Sequence, residues 1–103
     1  MSKRSVLMVR LEALGKVADE RREQIAEQVY KLEAVFELMA NASASGYRVL
    51  KVQSPQPIDL SASQAAHDLV AQLKEAGARV EWVARQPTDP SIGERFSELV
   101  IRW

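Results

Sequence analysis

Cysteine is absent from the 103 residues, which removes disulfide frameworks, thiolate nucleophiles and zinc–thiolate clusters together. Histidine occurs once, as His67, beside Asp68. One imidazole cannot hold a metal without several carboxylates at ligand spacing, and none stand so. On a helix, His67 and Asp68 would point about 100° apart and could not form an oriented acid–base pair. Glycine is scarce, and Gly46, Gly77 and Gly93 are too scattered to make a phosphate-cradling loop. The serines Ser43, Ser45, Ser54, Ser61 and Ser63 lie in turn and capping contexts, none of them inside a Gly-x-Ser-x-Gly elbow. These absences argue for a non-enzymatic protein with no cofactor.

No charge of one sign prevails either. Fourteen cations balance fourteen anions, and the balance holds within residues 1–46 and 47–103 separately. A nucleic-acid binder more often carries a basic excess, since phosphate contacts supply much of its affinity. The best basic candidates for such contacts are Lys3, Arg4, Arg48 and Lys51, with Tyr47 offering a stacking face beside Arg48. No run of 18 apolar residues is present, and Met1–Arg10 is too short in apolar residues for a signal peptide. The chain reads as cytoplasmic, without a membrane partner.

What is present is pattern. A length of 103 residues suits a single domain, residues 1–103, with one modest core. Its 47% hydrophobic and 27% charged residues are ordinary for a globular chain and argue against disorder. Residues 1–44 read as a helical segment. Leu11, Ala18, Ile25, Leu32 and Met39 recur every seven residues, with Val29 and Phe36 joining the stripe later. Glu12–Lys16 and Glu27–Lys31 add helix-supporting pairs at i,i+4. Gly15 is the expected point of division into a short and a longer helix. Over residues 5–11 a strand competes with helix, and the periodicity favours helix.

Residues 47–103 read as β-α-β-β. Tyr47–Val52 is a strand, and Ser61 with Gln64 fits a capping box opening a helix that Gly77 closes. Arg79–Arg85 and Ser97–Trp103 are strands separated by a loop that holds two prolines and a glycine. Aligned antiparallel with Val83 opposite Val100, they set Arg85 against Glu98 and Glu81 against Arg102. Val80, Trp82 and Ala84 then meet Trp103, Ile101 and Leu99 on the other face. A helical crossover between the first two strands makes those two parallel. The expected fold is therefore α+β and two-layer: a long helical segment, then a small mixed sheet ending in an antiparallel hairpin.

The stretch Gln72–Val83 is similar to the helix–glycine–strand ending of the ribosomal stalk protein's carboxy-terminal domain, over about a dozen residues. That family's basic, glycine-containing helical surface has no counterpart upstream, so the likeness carries no function here. The functional expectation rests on surface instead. The stripe of Leu11, Ala18, Ile25, Val29, Leu32, Phe36 and Met39 offers more apolar area than a three-stranded sheet and one helix would cover. This favours a protein-binding module, an adaptor, inhibitor or regulator, that forms a homodimer through its helices. A nucleic-acid-associated accessory protein is the alternative.

Overall fold

A computed structural model describes residues 3–89, 91 and 93–103. Six elements follow in order: α1 (Lys3–Val29), α2 (Leu32–Ala44), β1 (Val49–Val52), α3 (Gln64–Glu75), β2 (Arg79–Arg85) and β3 (Phe96–Arg102). The α+β expectation holds, as does helix over residues 5–11.

The helical segment does not divide at Gly15. α1 runs through it for 27 residues, and the break falls at Tyr30 and Lys31, where Lys31 is extended (φ −65°, ψ 123°). A single glycine costs a helix only about 1 kcal/mol, too little to end a run with good formers on both sides. The break is set by packing instead. Tyr30 is buried, its ring edge-on to Trp82 at 6.0 Å between centroids. The turn after it aims Val35 and Met39 of α2 into the core that Ile25 and Ala26 of α1 already enter.

The second N-cap also lies two residues later than expected. Ser63 caps α3, its hydroxyl accepting from the Ala66 N–H at 3.1 Å. Ser61 is held upstream, donating its N–H and its hydroxyl to the Asp59 carboxylate at 3.0 and 2.7 Å. The Gln64 side chain does not reach back to Ser61; its amide N–H donates to Asp68 at 2.8 Å. Glu23 of α1 accepts from the Gln64 and Ala65 N–H groups at 2.8 and 3.3 Å, placing a carboxylate at the α3 N-terminus.

The sheet order is β1-β3-β2. β1 and β2 run the same way, as the helical crossover requires, but β3 lies between them, so every hydrogen-bonded pair is antiparallel. The hairpin register differs from the expected one by two residues: Val83 faces Glu98, Glu81 faces Val100 and Arg79 faces Arg102. An even slip keeps every side chain on its own face, so the apolar and charged faces survive. The two ion pairs survive as diagonals, Arg102–Glu81 at 3.2 Å and Arg85–Glu98 at 3.8 Å. The slip frees Trp103 from the β2–β3 ladder. Its N–H donates to the Arg48 carbonyl at 3.1 Å and its indole N–H to the Ser43 hydroxyl at 3.0 Å, tying the end of β3 to β1 and α2.

All three helices pack on one face of the sheet. Leu99 and Ile101 of the central strand are fully buried there with Val35, Leu60, Ala66 and Leu69. On the other face, Val100 and Glu98 are buried beneath the flanking strands' side chains without a helix above them. The loop before β3 is pinned by Gly93 (φ +96°), where a Cβ would lie 2.6 Å from Pro57 Cγ. Pro90, one of that loop's prolines, lies outside the described residues, as do Met1 and Ser2.

Candidate protein-interaction site

The core begins late in α1. Ile25 and Ala26 are its first buried residues, whereas every residue from 3 to 21 is exposed. At 1.5 Å per residue those nineteen residues form an arm of roughly 28 Å. Its base is fixed by four contacts. Arg22 pairs with Glu94 at 2.6 Å and donates to the Asp59 carbonyl at 3.4 Å; Glu23 accepts from the Gln64 and Ala65 N–H groups. These contacts lie at the edge of the sheet where β1 ends and α3 and β3 begin. The arm projects beyond that edge, and the molecule's longest dimension reaches 62 Å.

The arm is not dressed as a solvated helix. Val6, Leu7, Met8, Val9, Leu11, Leu14 and Val17 are 40–66% exposed. At about 100° per residue, Leu7, Leu11, Leu14 and Ala18 share one face, and Val6, Ala13 and Val17 lie beside it. Lys3, Arg10 and Arg21 run between these two groups, so the arm carries a narrow apolar strip about 60° wide and a separate apolar edge, not one continuous face.

The expected contact stripe is therefore distributed between two settings. Leu11 and Ala18 lie on the exposed arm. Ile25 and Met39 are buried in the chain's own core, and Val29 and Leu32 pack against it. Phe36, 54% exposed, borders a groove of about 430 Å³ between the ends of α2 and α3, lined also by Leu73, Ala78 and Trp103. Sequence periodicity could not separate these settings, because the same stripe serves the core at one end and faces solvent at the other. The exposed Val6, Met8, Val9 and Val17 fall outside a strict seven-residue count, although the run Val6–Val9 is plain in the sequence.

A notch of about 280 Å³ opens at the arm's base, lined by Asp19, Arg22, Glu23, Asp59, Leu60, Ala62 and Ser63. Asp59 is its hub. Partial burial pushes its carboxyl up, but the hydrogen bonds from Ser61 and Ser97 and the Arg22 charge outweigh that and hold it below the usual value. Its carboxylate is thus charged at neutral pH. Behind the notch, burial raises the Tyr30 hydroxyl to about 12, aided by the negative charges of Asp59 and Glu98.

The four candidate nucleic-acid residues do not gather. Lys3 and Arg4 stand at the arm's tip, with residue 4 roughly 30 Å along the helix from Ile25. Lys51 is exposed on the open sheet face, and Arg48 donates from Nε to the Trp103 main-chain oxygen at 2.7 Å. His67 is exposed on α3. Among the described residues, no three histidine or carboxylate side chains come close enough to hold a metal. No helix there is long and apolar enough to cross a membrane. What the fold and surface define is a two-layer α+β body carrying an apolar helical arm. Compared with known proteins, the chain matches no family model, no curated sequence and no solved structure.

Proposed function

We propose that the chain is a small non-enzymatic protein-binding module, an adaptor, inhibitor or regulator, that forms a homodimer through its N-terminal helix. The observation that supports this reading is the arm's seven large apolar side chains, exposed on the part of α1 that precedes its first core residue, Ile25. Spread around the helix they offer on the order of 600 Å² of apolar surface, of which Leu7, Leu11 and Leu14 form the strip that one partner helix can cover. The α/β body, with its open charged sheet face and the groove beside Trp103, would then be free for a protein partner. The nucleic-acid alternative has weaker support, because its cations lie at opposite ends of the molecule.

Light scattering after size exclusion tests the self-association. The intact chain should run at twice 11.5 kDa. Leu11→Asp with Leu14→Asp should run as a folded monomer, since burying two carboxylates per copy weakens assembly by about a hundredfold or more. A monomeric parent at 100 μM, or a variant whose mass does not change, would discard the reading.

A further inference from the structure

The arm's geometry also determines how two copies can meet. Building on the self-association just proposed, we infer that the occupant of the arm's apolar face is the arm of a second copy running antiparallel, with Arg4 of its tip at the acidic notch of Asp19, Glu23 and Asp59.

Direction is set by the phase of the helix. Leu7, Leu11, Leu14 and Ala18 share their face with Ile25 and Val29, and those last two face the chain's own body. A partner helix lying parallel on this stripe would run into that body within two turns of Ala18. An antiparallel partner meets no such obstacle. Its tip ends where the body begins, and its own body lies beyond the first copy's tip. The two-fold arrangement uses one patch twice and closes on itself.

Charge points the same way. Residues 3–16 carry four cations (Lys3, Arg4, Arg10, Lys16) against Glu12 alone. Residues 17–29 carry four anions (Asp19, Glu20, Glu23, Glu27) against Arg21 and Arg22. Arg22 is already paired with Glu94. Parallel arms would set one basic half against the other, whereas antiparallel arms set basic against acidic. With Leu11 near the partner's Leu14, each tip reaches the level of residues 19–22, which is where the notch opens. Arg4 lies on the flank of the stripe that Asp19 and Glu23 share, so it is the tip residue that reaches the notch, whereas Lys3 lies on the other flank.

The absence of cysteine makes the test clean, because one introduced thiol carries one spin label. Labels at Ser5→Cys and, separately, Glu12→Cys would be measured by pulsed dipolar spectroscopy on the full chain. Antiparallel arms place the residue-5 labels about 25–35 Å apart and the residue-12 labels within about 20 Å. Parallel arms bring both pairs within about 20 Å, an outcome that overturns the antiparallel dimer and leaves self-association standing. No dipolar signal from a protein that light scattering shows to be monomeric would remove both. For the notch, Arg4→Glu should weaken dimerisation about five- to tenfold at low salt, and Asp19→Arg in the same chain should restore it. If Asp19→Arg compounds the loss instead, the tip does not sit there.

Discussion

Asp59 shows how one side chain joins elements far apart in sequence. Its carboxylate accepts from the Ser61 N–H and hydroxyl and from the Ser97 N–H, its N–H donates to Glu94, and its carbonyl accepts from Arg22. The base of α1, the entry to α3 and the start of β3 are thereby pinned to one residue. Hydrogen bonds to a charged acceptor contribute about 1.5–3 kcal/mol each where buried, and less at this half-exposed site. Asp59→Asn should cost about 1–2 kcal/mol at pH 7 in urea unfolding. The sign of the pH effect comes from linkage. A carboxyl held below its unfolded value stabilises the fold above that value and loses the contribution as pH falls through its own lowered value. The gap between the two proteins should accordingly narrow from pH 5 towards pH 2. A gap that stays constant would mean that the carboxylate's charge is not what holds the hub. None of this could be read from the sequence, where Asp59 is an ordinary loop acid and Ser61 a better cap candidate than Ser63. The competition was decided by Glu23, an anion 41 residues from Gln64 that supplies what a side chain at the cap would otherwise provide.

At the scale of elements, the patterns with strong local period were legible and the junctions between them were not. Helix over residues 5–11, β2 to the residue, and the apolar and charged faces of the hairpin all follow from periodicity. The two-residue register slip does not, because alternation fixes parity and nothing more. In the observed register Trp103 lies past the β2–β3 ladder, where its indole N–H donates to Ser43 on α2. The α1–α2 break carries no glycine or proline and depends on burying Tyr30 against Trp82, a contact 52 residues away in sequence. Gly15 is the converse case: it has ordinary helical φ, and nothing lies within 4 Å of where its Cβ would be. Gly15→Ala should therefore raise far-UV helicity and stiffen the arm by about 0.5–1 kcal/mol. Gly93→Ala should do the reverse at its loop, costing about 2 kcal/mol or more, since a positive φ and a clash with Pro57 coincide. Thermal melts should drop for Gly93→Ala and stay put for Gly15→Ala, whose gain is confined to the arm and reads out as helicity. Equal losses would mean that Gly15 serves a close contact, as it would at the centre of a tightly packed pair of arms.

At the scale of the whole molecule, the proposed association would be carried by a different part of α1 from the part that enters the core. Among the described residues every buried one lies at position 25 or later, and the contacts at the base of α1 begin with Arg22. The arm before Asp19 adds no core contact and makes none of those base contacts, so its sequence is free to serve something outside the monomer. Had the arm existed to stabilise the body, its apolar residues would meet that body. Had it been a solvated spacer, Leu11, Leu14 and Val17 would be expensive choices, each exposing more than half of its surface. Deleting residues 1–18 separates the two roles. The shortened protein retains the twelve-residue core cluster and the three ion pairs seen among the described residues, so its unfolding free energy in urea at high dilution should change by less than about 0.5 kcal/mol. Its sedimentation should be that of a monomer at every concentration, while on the proposed reading the intact chain should gain stability with concentration, because only folded copies would associate. A truncated protein that melts early would show that the arm folds back to support the body. One that still dimerises would place the interface on the open sheet face or the groove beside Trp103, and the arm would need another purpose.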